Sequence, residues 1–122
     1  MNKLMNYIFD TAAKTFGETC QVLLAIEEMA ELTKELTKIL RDDVPNYGLE
    51  GAYEELADVE IMIGQLKRMF SVDPHFESSF EEFKKQKLKR LVDRMVSEDV
   101  ELSNFSASKL FEAIENEGYR KE

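Results

Sequence analysis

The amino-acid sequence predicts an all-α protein. Apolar residues recur at the helical period along almost the whole chain, and the alternation typical of β-strands never lasts more than a few residues. The 122 residues include only five Gly and two Pro, and 43% are hydrophobic, which suits one globular domain with a modest core. We therefore expect a bundle of four main helices and a short C-terminal helix, completed by oligomerisation.

Breaks in the helical pattern divide the chain into elements. Gly17 interrupts the first apolar stripe, Gly48 lies in a loop after the second, and Pro74 follows the third. The predicted helices span residues 2–15, 18–40, 49–70, 75–96 and 106–116. We assign residues 1–96 to one helical domain and residues 97–122 to an acidic C-terminal extension that carries the short helix.

The second and third helices are predicted to form much of the core. One broad face of the second helix consists of Val22, Ala25, Ile26, Met29, Leu32, Leu36 and Leu40. The corresponding face of the third helix consists of Ala52, Leu56, Val59, Ile63, Leu66 and Phe70. Its far half carries further apolar residues on other sides, at Ile61, Met62 and Met69. Because a helix that is apolar on several sides usually has several neighbours, we expect another subunit to cover part of it.

Charge and the scarcity of reactive residues exclude several classes of function. Sixteen Lys and Arg against 25 Asp and Glu give a net charge of −9, which disfavours binding to nucleic-acid polymers or anionic membranes. One cysteine, Cys20, and one histidine, His75, are too few for a cysteine-rich zinc cluster or a His-based triad. Any catalysis must therefore use carboxylates, amines and hydroxyls. Because the sequence has neither a membrane-span pattern nor a signal-peptide pattern, we expect a cytoplasmic protein.

Two pairs of acidic residues lie on consecutive helices: Glu28 with Glu31, and Glu55 with Asp58. Three residues advance about 300° around a helix, so the members of each pair point to the same side. Because antiparallel helices joined by a short loop place these pairs opposite each other, we expect the four carboxylates to converge. One such pair of acids alone is common on a solvated helix face, but two pairs at facing positions favour a ligand site.

Converging carboxylates repel each other unless a proton or a cation neutralises them. Two unit charges about 4 Å apart repel by several kcal/mol at an effective dielectric constant of about 20. Oxygen ligands without His or Cys favour Mg²⁺, with Mn²⁺ as a substitute. The sequence therefore predicts a magnesium site between the second and third helices.

The acidic pattern resembles a known family. Glu27-Glu28-x-x-Glu31, followed by Glu55-x-x-Asp58, is similar to the signature of the MazG-like all-α nucleoside triphosphate pyrophosphohydrolases. The resemblance covers about residues 15–95. Flanking residues similar to the small, single-domain branch of that family are Phe16, Gly17, Glu18, Gln21, Leu56, Ala57 and Val59.

The resemblance implies a homodimer or homotetramer that uses Mg²⁺ to split a nucleoside triphosphate into a monophosphate and pyrophosphate, thereby limiting particular nucleotides. It further implies that Glu28, Glu31, Glu55 and Asp58 are the metal ligands. Glu27 matches the first acid of the motif but points about 100° away from Glu28, so its implied catalytic role is to position water or a second ion.

Residues outside the acidic motif complete the predicted site. Lys87, Arg90 and Arg94 recur at helical spacing on the fourth helix and are candidates for binding phosphate oxygens. The alternative for these three cations is a solvated basic face that pairs with acidic neighbours. Phe16 and Gln21, near the start of the second helix, are candidates for contact with a nucleobase.

Two other functions fit the same residues. The first is an enzyme that has the same site but hydrolyses another pyrophosphate, such as phosphoribosyl-ATP or a nucleoside diphosphate. In a non-enzymatic helical interaction module, the acids would give solubility and an exposed apolar face would bind a partner. Glu55 and Asp58 beside Leu56 and Val59 favour an enzyme, because charges at an apolar border are costly without a ligand.

Overall fold

The computed structural model describes residues 3–41, 48–98 and 106–117 of the chain. They form five helices and no strand: α1 (Lys3–Phe16), α2 (Glu18–Arg41), α3 (Glu50–Phe70), α4 (Phe76–Ser97) and α5 (Ala107–Glu117). The all-α prediction is confirmed, and each helix begins and ends within one residue of its predicted bounds. The loop predicted between the second and third helices lies mostly outside the described residues, as do 99–105 and 118–122 of the C-terminal extension. None of the described helices is long and apolar enough to cross a membrane.

Gly17 separates α1 from α2. Its φ of 88° lies in the left-handed region, where a side chain would be strained, and its N–H donates to the carbonyl of Ala13 at 2.9 Å. The carbonyl of Gly17 then accepts from the N–H of Gln21 in the first turn of α2. One glycine therefore ends the first helix and lets the second begin in a new direction.

The described helices fall into two compact units. The first unit, residues 1–72, contains α1, α2 and α3, and the second, residues 73–122, contains α4 and α5. The division of the chain after residue 96 stays a prediction, but the structure groups the short C-terminal helix with α4.

The helices α2 and α3 pack antiparallel in the first unit. The carboxylate of Glu35, late in α2, lies close to Gly51 at the start of α3, while Glu28 lies near Asp58, further along α3. Among the described residues of this unit, the buried apolar side chains are few: Phe9 on α1, Ala25 on α2, and Val59 and Met62 on α3. The core is therefore a narrow seam rather than the broad face that the sequence predicts.

The packed seam is rotated from the predicted apolar faces. Ala25 and Val59 are buried as expected, but several predicted core residues are exposed: Val22, Ile26, Met29, Leu36, Leu40, Leu56, Ile63 and Phe70. On α2 the seam instead includes the buried Gln21 and the half-buried Glu28 and Glu35. Because these side chains are polar, a search for apolar periodicity does not find the seam.

The first helix packs against α3 through one close contact and one ion pair. The ring of Phe9, which is 4% exposed, lies over Gly64, where a methyl group would approach a ring carbon to 3.0 Å. Next to it, Arg68 donates two hydrogen bonds to the carboxylate of Asp10, at 2.9 and 3.0 Å. This bidentate pair fixes the position of α1 along α3.

Alanine substitution at two glycines of α3 is expected to change stability in opposite directions. At Gly64 the new methyl group presses on the buried Phe9 ring, so we expect a loss of about 1–2 kcal/mol. At Gly51 the new methyl group meets only the carboxylate of Glu35, which can move away. Because alanine reduces the conformational entropy of the unfolded chain, we expect the folded state to be stabilised by about 0.5 kcal/mol. Urea denaturation measures both free energies of unfolding. Equal effects at the two sites would contradict the close packing of α1 on α3.

In the second unit, α5 is held on α4 by a carboxylate between two lysines. Lys85 is 3% exposed and lies 2.7 Å from Glu115 and 3.6 Å from Glu82, and Lys89 also pairs with Glu115. Hydrogen bonds from Lys85 and Lys89 lower the pKa of Glu115 to about 2. Burial of Lys85 is therefore compensated by the charge that α5 supplies.

Neutralising Glu115 is expected to loosen α5. In Glu115→Gln, the amides of α5 should exchange with deuterium faster than in the wild type, whereas Glu112→Gln, on an exposed position of the same helix, should leave the exchange unchanged. Because the pKa of Glu115 is lowered from 4.5 to about 2, its contribution is complete above pH 4.5 and is lost as the pH falls through about 2. Unchanged exchange in Glu115→Gln would show that the ion pairs do not hold the helix.

Candidate metal centre

Three carboxylates from two helices converge in the first unit. Glu28 projects from the middle of α2, and Glu55 and Asp58 project from α3, where they are separated by three residues. One oxygen atom from each of the three groups lies within 4.8 Å of the others, and all three residues are half-buried. This arrangement follows from the antiparallel packing of α2 on α3 and from the helical spacing of the two α3 acids.

The convergence disfavours the ionised form of Glu28. Desolvation is the largest cause of the raised pKa of Glu28, followed by repulsion from Asp58 and Glu55, and hydrogen bonds with these two carboxyl groups also favour its protonated form. One oxygen of Glu55, Oε2, is buried and has no hydrogen-bond partner. Within the described part of the chain, Glu28 is thus destabilised as a carboxylate and one oxygen of Glu55 has no donor.

The donor set fits a hard divalent cation. Half-buried carboxylate oxygens without His or Cys are typical ligands of Mg²⁺ and Mn²⁺, and Mg²⁺ usually retains positions for water or for phosphate oxygens of a substrate. A cation bound here would neutralise the repulsion at Glu28 and give the orphaned oxygen of Glu55 a partner. The residues present therefore fit the metal that the sequence predicts.

The structure brings together three of the four predicted ligands. Glu28, Glu55 and Asp58 form the cluster, whereas Glu31 is exposed on α2 and is not one of the grouped acids. Glu27 is also exposed. It lies about 100° around the helix from Glu28, as expected for consecutive residues. A metal-binding role for Glu31 and a catalytic role for Glu27 stay predictions.

The remaining predicted site residues lie elsewhere. Phe16 is 63% exposed at the end of α1, whereas Gln21 is only 3% exposed, so its amide would have to move to reach a nucleobase. The three candidate phosphate ligands are all exposed on α4 of the second unit: Lys87, Arg90 and Arg94. Their interaction with phosphate stays a prediction.

A cavity of about 500 Å³ in the first unit was not predicted from the sequence. Its lining includes Tyr7, Lys14 and the Asp10–Arg68 ion pair. No spacing pattern points to it, because Asp10 and Arg68 lie 58 residues apart and meet only when α1 packs on α3. Glu35, in contrast, pairs with Lys38 within its own helix at 3.2 Å, at the i, i+3 spacing that is visible in the sequence.

Together, the fold and the cluster define an all-α protein with a half-buried site of three carboxylates between two antiparallel helices. No protein family, curated protein or solved structure matches the chain. The resemblance to the MazG-like enzymes therefore rests on the motif residues themselves.

Proposed function

We propose that the protein is a Mg²⁺-dependent nucleotide pyrophosphohydrolase that converts a nucleoside triphosphate and water into a nucleoside monophosphate and pyrophosphate. The observation that carries this proposal is the convergence of Glu28, Glu55 and Asp58. These acids occupy the motif positions on which the family resemblance depends, and their proximity requires two different helices.

The three carboxylates would hold the metal and set its position. Mg²⁺ bound there supplies charge neutralisation for phosphate oxygens and lowers the pKa of a nearby water molecule. This neutralisation suits a chain with a net charge of −9, which otherwise repels a polyanionic substrate. Partial burial of the three side chains strengthens their attraction for the cation relative to exposed carboxylates.

Further residues of the predicted site, on α1, α2 and α4, have supporting roles in the proposal. Glu31 follows Glu28 by three residues on α2 and serves as a fourth ligand, and Glu27 positions water or a second ion. Lys87, Arg90 and Arg94 on α4 are candidates for binding phosphate oxygens, with which a planar guanidinium group can form two hydrogen bonds. The aromatic ring of Phe16 is accessible for stacking on a base, and Gln21 is a second candidate for contact with the base.

A substrate panel tests the proposal. Standard and modified nucleoside triphosphates, nucleoside diphosphates and phosphoribosyl-ATP are incubated with the protein and Mg²⁺, and the products are separated and identified. Pyrophosphate and a monophosphate from triphosphates are the expected products. If only diphosphates or phosphoribosyl-ATP were hydrolysed, the proposed substrate would be wrong but the proposed metal site would stand. The absence of any hydrolysis, together with an absence of metal binding, would reject an enzymatic function.

A further inference from the structure

The cavity of about 500 Å³ in the first unit is built by three helices. On α1 it is lined by Tyr7, Asp10 and Lys14, which lie on one side of that helix because they are spaced by three and four residues. The start of α2 adds Glu18, and the end of α3 adds Arg68. The volume lies within the range of about 300–1,000 Å³ that is typical of small-molecule pockets.

This cavity, hereafter the α1 cavity, is separate from the candidate metal centre. Arg68 follows Asp58 by ten residues on α3, which corresponds to about 15 Å along the helix. In the part of the chain that the structure describes, the three grouped carboxylates do not line the cavity. Binding in the α1 cavity therefore does not require the metal.

Four charged groups line the α1 cavity, and their charges balance. Asp10 and Arg68 neutralise each other through two hydrogen bonds, which leave further N–H groups of the guanidinium and further lone pairs of the carboxylate for other partners. Hydrogen bonds from Arg68 are the main cause of the lowered pKa of Asp10, and the charge of Lys14 lowers it further. The ammonium group of Lys14 therefore lies near this ion pair.

Lys14 and Glu18 are available to a ligand. Both side chains are exposed, and neither forms an ion pair with another described residue. They are four residues apart across Gly17 and line the same cavity. A positive and a negative side chain placed in this way suit a ligand whose own two charges are close together.

Apolar side chains form much of the remaining lining. The ring of Phe9 is buried, whereas Tyr7 and Val72 are 69% and 86% exposed. Met69 contributes a half-buried side chain from α3. An apolar group placed in the cavity would remove the exposed ring and methyl groups from water, which is favourable.

We infer that the α1 cavity binds a free α-amino acid with a large apolar side chain. The ligand carboxylate accepts hydrogen bonds from Lys14 and Arg68, and the ligand ammonium group donates to Glu18. The ligand side chain packs against Tyr7 and Val72. Because a zwitterion has no net charge, it avoids the repulsion that the net charge of −9 imposes on an anion. This binding does not depend on the proposed enzymatic function.

A titration followed by nuclear magnetic resonance tests the inference. L-Phenylalanine is added to the full chain in a buffer with EDTA, so that a metal-bound carboxylate cannot contribute. Amide signals of residues 7–18 and 68–72 should shift, whereas those of Glu28, Glu55 and Asp58 should keep their positions. We expect a dissociation constant of about 0.1–1 mM, which is typical of a ligand of this size.

Three related ligands identify the groups that are recognised. 3-Phenylpropionate lacks the ammonium group, phenylalanine amide lacks the carboxylate, and glycine lacks the apolar side chain. Each should bind at least about 10-fold more weakly than phenylalanine, because each leaves one part of the cavity without its partner. If any of the three bound as tightly as phenylalanine, the assignment to an apolar amino acid would be overturned.

Two neutralising substitutions test the residues of the cavity. Lys14→Gln and Glu18→Gln should each raise the dissociation constant of phenylalanine at least about 10-fold, and both positions are exposed, so the fold should be retained. Lys3→Gln is the matched control, because Lys3 is exposed on the same helix as Lys14 but does not line the cavity. It should bind like the wild type. An absence of shifts in the wild type at millimolar phenylalanine, or unchanged binding in either cavity variant, would overturn the inference.

Discussion

Replacing Asp58 with asparagine is expected to reduce pyrophosphate release from a nucleoside triphosphate by at least about 100-fold. The substitution retains the shape of the side chain but removes one of the three charges that converge between α2 and α3. An amide is a much weaker ligand for Mg²⁺ than a carboxylate, so both metal affinity and phosphate positioning should suffer. Initial rates at saturating Mg²⁺ measure the effect.

Glu54→Gln is the matched control for Asp58→Asn. Glu54 lies on the same helix and carries the same charge, but it is exposed and is not one of the grouped acids. Its substitution should change the rate by less than about twofold, since an exposed charge contributes little through solvent. Equal losses of rate in the two variants would show that the effect comes from net charge. A fully active Asp58→Asn would remove the central support of the proposed function.

Mg²⁺ is expected to raise the melting temperature of the protein, and to raise it more as the pH increases. A ligand at about 100 times its dissociation constant stabilises the folded state by about 2.7 kcal/mol, which corresponds to roughly 10 °C or more for a small domain. The metal must bind ionised carboxylates. Because the pKa of Glu28 is raised above 4.5, the shift should grow until the pH exceeds that raised value.

The metal-free protein should show the opposite trend. A carboxyl group whose pKa is raised by folding contributes stability below its ordinary value of 4.5, and this contribution is lost as the pH rises through the raised pKa. In Glu28→Gln, the stability of the metal-free protein should therefore no longer fall as the pH rises through that value, and Mg²⁺ should no longer stabilise the fold. Melting curves with Mg²⁺, and with NaCl at the same ionic strength, separate binding from screening. A melting temperature that is insensitive to Mg²⁺ at every pH would contradict the metal site.

Helix bounds and most of the acidic cluster were predictable from local features of the sequence. Gly17 and Pro74 interrupt the helical period, and the i, i+3 spacing of Glu55 and Asp58 places both acids on one side of α3. Their meeting with Glu28 follows from an antiparallel hairpin, which a short loop favours. These predictions succeed because they depend on helix geometry alone.

Which side of each helix is packed was not predictable in the same way. On α3 the exposed Ile63 lies about 100° around the helix from the buried Met62, and on α2 the packed seam includes the polar Gln21 and Glu28. Apolar periodicity therefore favoured the exposed stripe that contains Val22 and Met29. Because the sequence did not indicate which side of α2 packs against α3, Glu31 was also expected in the cluster. The pairing of Lys85 with Glu115 depends on the docking of α5, which leaves no local signal.

The carboxylate of Glu115 also governs how α4 would respond to dissolved anions. While α5 is docked, this single group accepts from two ammonium groups, Lys85 and Lys89. A chain truncated before α5 would leave both ammonium groups without that counterion, on the same helix as Lys87 and Arg90. Multivalent anions such as sulfate or polyphosphate would then substitute for the lost carboxylate, and the thermal stability of α4 would become sensitive to the choice of buffer salt.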